Sequence, residues 1–203
     1  MKKIEDRPGD VRVEVVTTTF VASGEPVGIH TLDLFIDALN RQQGSHQIEL
    51  GEPAVRPLYR ASDQLHLGAP LLIRRDEIVF ANFEAPAATA ATSTEIDAPV
   101  LLLAPPFQIQ GLVSLAPGID PTQALRAIVG GFFAVRKASV YDADGNALGE
   151  GEQIIVNGAA VQMASATRQH IDLATAARIS DVITIDADAP MPAEEQERGQ
   201  RAA

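Results

Sequence analysis

The 203-residue chain has no cysteine and no tryptophan, and aromatic residues make up only 4% of it. Without cysteine it has no disulfide, no thiolate metal ligand and no cysteine nucleophile, which is typical of proteins from a reducing compartment. With few rings to bury, the core has to be built from valine, isoleucine, leucine and alanine. We therefore expect a cytoplasmic globular protein with an aliphatic core and no broad stacking surface.

Basic residues and long apolar runs are also scarce. The chain has 16 lysines and arginines against 27 acidic residues, a net charge of −11, and this excess of negative charge repels the phosphates of nucleic acids. No stretch approaches the roughly 18 apolar residues of a membrane helix, and no apolar segment follows the charges of residues 1–8. We expect no nucleic-acid partner, no membrane insertion and no secretory signal.

A recurring stretch is the clearest feature that the sequence does contain. Residues 71–80 read as an apolar triplet, a polar break and an apolar pair, and this pattern returns at an offset of 83 in residues 154–163. An apolar triplet followed by a polar break predicts a buried strand and a turn, so each copy is expected to form a hairpin. A repeat of roughly 80 residues is too long for a solenoid and predicts two copies of one small domain.

The patterns around this stretch repeat in the same order. The first half has alternating strand patterns at residues 11–21 and 46–55, and between them a helical pattern at residues 31–42. The second half retraces this order at offsets between 83 and 89. The matched pairs are Phe20 with Phe107, Gly24 with Gly111, Asp33 with Asp120, Phe35 with Ala124, Ile48 with Phe133, Leu50 with Val135 and Val55 with Val140.

Composition divides the chain into six segments. Small uncharged residues around Pro86 are typical of a linker, and acidic residues among proline and alanine at the C-terminus are typical of disorder. The predicted segments are a flexible arm at 1–10, a first β-rich repeat at 11–84, an Ala/Thr linker at 85–97, a second β-rich repeat at 98–163, a C-terminal packing segment at 164–185 and a disordered acidic tail at 186–203.

Two short motifs carry a resemblance. Thr31-Leu32-Asp33 stands before Leu39-Asn40, and a later apolar strand ends at Val156-Asn157. With the order strand, strand, helix, strand and apolar hairpin, they resemble an uncharacterised family of small bacterial β-rich domains, in which a phrase like Arg-Leu-Ser-Asp-x-Leu-Asn precedes a strand. The resemblance implies a compact β-barrel or roll with one helix and no known catalytic residue. We therefore expect an α+β, mainly β protein made of two tandem related small β-barrel or roll domains, each with about one helix.

Residues 142–146, Asp-Ala-Asp-Gly-Asn, open like a calcium loop with side-chain oxygens at positions one, three and five. The later positions depart from the calcium-loop pattern. The sixth is Ala147, where glycine is needed, and the twelfth is Gln153, where a bidentate carboxylate is needed. The pattern instead predicts a turn between two strands.

Other reactive residue types lack the spacing of a metal or catalytic site. Gly130-Gly131 follows a helical pattern, whereas a phosphate cradle needs glycine before a helix, and Arg74-Arg75 is neutralised by Asp76-Glu77. We expect no catalytic residue, no metal ligand and no cofactor. The polar residues without such spacing are His30, His46, His66, His170, Ser62 and Asp63.

Residues 101–113 carry Pro105-Pro106 inside an apolar strand pattern. Proline in sheets is confined to edges, strand starts and bulges, so we expect this segment at a sheet edge or at a bend. An apolar edge has to be covered by the other half, by residues 182–185 or by another subunit. The residues of this possible interaction edge are Leu101, Leu102, Leu103, Phe107 and Ile109.

Together these patterns favour a non-catalytic binding or scaffolding protein that acts through protein–protein contacts or self-association. The alternative is a small-molecule-binding protein or an enzyme with a site between the two repeats, because catalytic groups can be distant in sequence. Converging histidines and carboxylates in one pocket would favour the enzyme, whereas a flat apolar patch would favour a protein partner.

Overall fold

The computed structural model describes residues 11–41, 46–60, 63–84, 96–128 and 130–166. The predicted arm, most of the linker, most of the packing segment and the whole acidic tail lie outside the described residues. The elements in order are β1 Arg12–Thr17, β2 Phe20–Pro26, α1 Leu32–Asn40, β3 Gln47–Pro57, β4 Leu65–His66, β5 Leu71–Arg74, β6 Ile78–Glu84, β7 Ile96–Ala104, β8 Phe107–Leu115, α2 Pro121–Ile128, β9 Phe132–Tyr141, β10 Ala147–Asn157 and β11 Met163–Ala166.

The strands form one open antiparallel sheet. Its order is β11, β7, β8, β9, β10, β6, β1, β2 and β3, after which β4 and β5 pair with different residues of β3. The expected closed barrel is wrong, because within the described part of the chain β5 pairs only with β3, and β11 pairs only with β7. The predicted mainly β composition with two helices is confirmed.

The two halves of the chain run through this sheet in the same order. The first half contributes β6, β1, β2, β3 and β5, and the second contributes β11, β7, β8, β9 and β10. In each half the helix follows the second strand, and a 3-10 turn precedes the last strand, at Arg75–Glu77 and at Gly158–Ala160. The two turns are 83 residues apart, which is the offset of the recurring stretch.

Neither copy of that stretch forms the hairpin that the sequence predicts. β5 pairs with β3 while β6 pairs with β1 and β10; β10 pairs with β9 and β6 while β11 pairs with β7. A hairpin needs a tight turn that leaves its two strands side by side. The three-residue 3-10 turn instead carries the chain across to a different neighbouring strand.

A close backbone approach explains the matched glycines. The ladders between β2 and β3 and between β8 and β9 both shift register at these positions. A Cβ atom on Gly24 would lie 2.7 Å from the carbonyl oxygen of Gly51, and one on Gly111 would lie 2.8 Å from that of Arg136. Only glycine fits so close a bulge. The residues with positive φ on the facing strands are Glu52, at 44°, and Lys137, at 47°.

The halves meet where β6 pairs with β10, with Ile155 opposite Ala81. Successive side chains of a strand point to opposite faces of a sheet. Ile155 joins a core that contains Phe35 and Leu39 of α1, whereas the adjacent Val156 joins the core that contains the buried residues of α2. The helices therefore cover opposite faces of the sheet, and the described residues form one compact body.

Two asparagine side chains fasten the halves to each other. The Asn40 amide donates to the carbonyl of Phe132 at 2.8 Å and accepts from its N–H at 2.7 Å. The buried Asn157 amide donates to the carbonyl of Ile78 at 2.8 Å. Each bond joins the end of an element in one half to the start of a strand in the other.

Side-chain caps set where the helices begin. The Thr31 hydroxyl accepts from the N–H of Leu34 at 3.3 Å, and the Asp120 carboxylate accepts from the N–H of Gln123 at 3.1 Å. Thr31 and Asp120 thus cap their helices in the same way, whereas Asp33, which the sequence pattern pairs with Asp120, lies inside the first turn of α1. In the described residues neither helix is long and apolar enough to cross a membrane.

Candidate functional site

The two halves line a shared cleft of about 160 Å³. Its first wall comes from β1, β2, β3 and β6, and its second wall comes from β8, β9 and β10. The sheet brings these walls together because β6 and β10 are neighbours in its middle. The cleft therefore exists only when both halves are folded against each other.

The floor of the cleft is apolar. Val16 lies opposite Val21 on one side and opposite Phe80 on the other, so these three side chains share one face of the sheet. The second half adds Phe107, whose ring meets that of Phe80 edge-on with centroids 5.1 Å apart, and Ile154, which is buried. Aromatic rings in this geometry attract each other, so the floor also ties the halves together.

The rim of the cleft is polar and carries an excess of negative charge. Glu14 lies opposite Asn82 on the same face, two residues before Val16. Arg56 places its Nη2 atom 3.7 Å from Oε2 of Glu14, and both side chains are partly exposed. Glu150 is exposed on the facing wall and forms no ion pair with another described residue. Two carboxylates thus stand against one guanidinium.

The cleft is small and carries few reactive groups. Its volume is close to that of an apolar cavity that holds benzene and lies below the roughly 300–1,000 Å³ of typical small-molecule sites. Among the described residues, those that line the cleft include no histidine, serine, cysteine or lysine. Across the same part of the chain, no group of three or more His, Asp or Glu residues is placed to hold a metal ion.

The predicted interaction edge lies elsewhere and is largely covered. Leu102, Phe107 and Ile109 are 0%, 2% and 0% exposed, whereas Leu101 and Leu103 are half-buried. The strand β7 is paired on both sides, because β11 runs along residues 100–103 and β8 along its whole length. The structure corrects the expected edge, because β7 is internal at these residues, and it agrees with the alternative, because Pro105 and Pro106 form the bend between β7 and β8. Of the five predicted residues, only Phe107 lines the cleft.

Residues 142–146 form the predicted turn between β9 and β10. The Asp142 carboxylate accepts from the N–H groups of Asp144 and Asn146 at 2.9 and 2.8 Å and from the side-chain amide of Asn146 at 2.9 Å. These hydrogen bonds, the one from the Asn146 side chain above all, hold the pKa of Asp142 below its usual value. The carboxylate is therefore engaged by its own turn.

The predicted charged turn also has local partners. Arg74 and Asp76 form an exposed ion pair, and the hydrogen bond from Arg74 lowers the pKa of the Asp76 carboxyl. The neighbouring Arg75 is buried, and its guanidinium donates to the carbonyls of Leu39 at 2.9 Å and Ala38 at 3.2 Å and contacts the carbonyl of Arg41. Arg75 thus closes the C-terminal end of α1.

The histidines do not converge in the described part of the chain. The Nδ1 atom of His46 lies 3.1 Å from the Nη2 atom of Arg75, while His30 and His66 are exposed and do not line the cleft. His170 and Ser62 lie outside the described residues. The structure therefore brings none of the described histidines into the cleft.

Sequence patterns alone missed the polar rim of the cleft. Only Asn82 interrupts an apolar run, whereas Glu14 takes a polar position of the alternating pattern and Arg56 lies next to a proline. In the structure Glu14 lies opposite Asn82 and Arg56 lies opposite Val21, so the three share one face next to buried residues. A polar residue inside an apolar run is therefore a signal that could have identified Asn82 alone. Glu150 had no such signal, because it follows a polar turn.

Comparisons with known proteins found no matching family model, no matching curated protein and no matching solved structure.

Proposed function

We propose that the chain is a non-catalytic binding protein that acts through protein contacts. In this proposal, the cleft that the two halves share receives one apolar side chain from a basic segment of a partner. The observation that carries this proposal is the pairing of an apolar floor with a net negative rim. Interfaces commonly anchor one side chain in a pocket and surround it with polar contacts.

The size of the cleft favours a side chain over a cofactor or a metabolite. About 160 Å³ accommodates one leucine-sized or phenyl-sized group. The Val16, Phe80 and Ile154 side chains offer such a group a surface that excludes water, and they offer no hydrogen bonds that would orient a polar ring system. A small-molecule ligand is therefore the second candidate, and it has to be mainly apolar.

The charge of the cleft favours a basic partner. Glu14 and Glu150 stand on facing walls, and only Arg56 opposes them. The whole chain carries a net charge of −11, so long-range attraction also steers cationic segments toward it. An acidic or neutral segment with the same apolar side chain gains the floor contacts but not this attraction.

A peptide titration tests the proposal. Blocked tripeptides Lys-Leu-Lys, Glu-Leu-Glu and Ala-Leu-Ala are added to methyl-labelled protein, and the methyl resonances of Val21 and Ile154 are followed by NMR. We expect the basic peptide to bind weakly, with a Kd on the order of 10 mM, because burying one apolar side chain contributes only about 1.5–3 kcal/mol. It should bind at least several-fold more tightly than the acidic peptide.

Matched variants make the result specific. Glu14→Gln and Glu150→Gln should weaken the basic peptide, whereas Glu49→Gln, an exposed carboxylate that does not line the cleft, should not. Equal binding of all three peptides would instead favour a small apolar ligand. No shift of these methyl groups with any peptide would refute the cleft as a binding site.

We also infer that the two halves are copies of one ancestral unit. Supporting features recur at matched positions: the glycine bulges, the positive φ of Glu52 and Lys137, and the 3-10 turns. The resemblance to a family of small bacterial β-rich domains belongs to the same proposal, as does a cytoplasmic location, which fits the absence of cysteine.

A further inference from the structure

At the two ends of the sheet, three strands have one neighbour each in the described part of the chain. The two-residue β4 and the longer β5 pair only with β3, and β11 pairs only with β7. Unpaired strand edges expose N–H and C=O groups that readily pair with another chain. The pairing of β6 with β10 at the junction between the halves indicates which strand could pair with each edge.

Each terminal edge has a counterpart inside the sheet. Because the halves share one strand order, β5 occupies in the first half the place that β10 occupies in the second, and β11 corresponds in the same way to β6. The 3-10 turns at Arg75–Glu77 and Gly158–Ala160 lie 83 residues apart, so corresponding residues of the two halves next to these turns also differ by 83. Leu72 therefore corresponds to Ile155, and Met163 corresponds to Phe80.

Corresponding side chains differ sharply in exposure. At the internal junction Ile155 is 0% exposed and Phe80 is 8% exposed. At the terminal edges Leu72 is 58% exposed and Met163 is 60% exposed. Both edges thus keep the apolar residue type that the internal junction buries, and both present it to solvent.

We propose that a second copy of this chain docks at these edges, with β5 of one molecule pairing antiparallel to β11 of the next. The internal junction sets the register, since Ile154, Ile155 and Val156 lie opposite Asn82, Ala81 and Phe80. Shifted by 83 residues, it places Leu71 opposite Ser165, Leu72 opposite Ala164 and Ile73 opposite Met163.

The contact joins two different surfaces, so a pair of molecules keeps one free edge of each kind and association proceeds head to tail. Only three residues of β5 pair with three residues of β11, so the contact is weak and the extent of association depends on protein concentration. The net charge of −11 on each copy opposes association, and salt screens this repulsion. The proposal is independent of the cleft, which neither Leu72 nor Met163 lines.

Sedimentation velocity of the full chain over a wide concentration range tests it. We expect the weight-average mass to rise with concentration and with salt. Leu72→Lys and Ala164→Glu should each weaken association at least about tenfold, because each places a charge in the contact. The double variant should regain it, because the two charges face each other in the proposed register. Leu34→Lys, at an exposed apolar residue of α1, is the matched control and should change nothing.

Because Ala164 is half-buried, a second measurement avoids its charged variant. The chain has no cysteine, so Leu72→Cys and Ala164→Cys proteins can be mixed and oxidised, and the mixed disulfide should exceed either homodisulfide. A full chain that stays monomeric at every concentration would overturn the proposal, as would a statistical mixture of disulfides or an unaffected Leu72→Lys variant. If a chain that ends after Ala166 associates and the full chain does not, the C-terminal segment is the partner of the edge. That result would also overturn the proposal.

Discussion

The first and second halves share a backbone plan but differ in the side chains that hold it. In the first half the N–H of Arg75 donates to the carbonyl of His46 at 2.9 Å, and in the second half the N–H of Gly158 donates to the carbonyl of Gly131 at 2.8 Å. The same backbone bond thus recurs, yet only Arg75 has a guanidinium that closes a helix. The backbone geometry is common to both halves, while side-chain chemistry distinguishes them.

A second contrast separates the internal junction from the ends of the sheet. Ile155 and Leu72 occupy corresponding positions, but Ile155 is enclosed by both halves and Leu72 faces solvent. The same type of side chain therefore stabilises the monomer at one place and is available to a partner at the other.

The largest expected effect comes from truncating the two matched side chains. Ile155→Ala should lower the free energy of unfolding by about 2–5 kcal/mol, because it leaves a cavity in the core that contains Phe35 and Leu39. Leu72→Ala should change it by no more than about 0.5 kcal/mol, because the side chain is exposed. Urea denaturation at low protein concentration measures both. Equal losses would mean that the two positions are not distinguished by burial in the monomer.

The next effect concerns the arginine that the second half lacks. Arg75→Ala should cost about 2–4 kcal/mol of unfolding free energy, because it removes charge-assisted hydrogen bonds to carbonyls at the end of α1. The adjacent Arg74→Ala is the control and should have little effect, since its ion pair with Asp76 is exposed. Chemical denaturation of both variants checks this, and a destabilised Arg74→Ala beside a native-like Arg75→Ala would contradict the assignment.

The glycine bulges should be equally sensitive in both halves. Gly24→Ala and Gly111→Ala should each cost about 1–3 kcal/mol, because the added methyl group meets a carbonyl oxygen of the facing strand. Gly68→Ala is the control, since a Cβ atom there meets nothing within 4 Å. Thermal melts and urea titrations of the three variants provide the comparison. Tolerance at one bulge and not at the other would break the equivalence of the halves.

The smallest effect is a pH dependence confined to the turn after β9. The pKa of Asp142 is lowered in the folded chain by its hydrogen bonds, so its contribution is present above its unfolded-state pKa of about 3.9 and disappears as pH falls through the folded-state value. Asp142→Asn should therefore lower Tm at pH 7 but not in strong acid. Melts between pH 2 and pH 7 check this against Asp144→Asn, and a difference that grows toward low pH would be inconsistent with it.

Local patterns anticipated most elements but not their pairing. Helical spacing and alternation placed α1 and β3 to within a few residues, and the offset of 83 located both 3-10 turns. The single strand predicted at residues 11–21 is wrong, because residues 18–19 turn the chain and divide it into β1 and β2. The partners of β6 and β10 were not predictable, because alternation shows that a strand has a buried face without showing which strand lies beside it. The sequence pattern therefore predicts an edge at residues where β7 is covered, and it predicts two hairpins where β5, β6, β10 and β11 pair with other strands.

The residues of the candidate site could not be predicted from the sequence for the same reason. The cleft needs Glu14 and Arg56 from one half and Glu150 from the other, and only the pairing of β6 with β10 brings their strands together. The positive φ values of Glu52 and Lys137 were equally invisible, because neither residue type is typical of that conformation. Features that depend on contacts between distant segments leave little local signal.

The pairing of β6 with β10 is the central claim, because the shared cleft, the opposite placement of the helices and the correspondence of the edges all depend on it. Nuclear Overhauser effects between backbone protons measure it directly in the unmodified protein. We predict cross-strand contacts between Ile154 and Asn82, between Ile155 and Ala81 and between Val156 and Phe80. Their absence, in a protein whose β1–β2 and β9–β10 ladders show the expected contacts, would contradict a single sheet that runs through both halves.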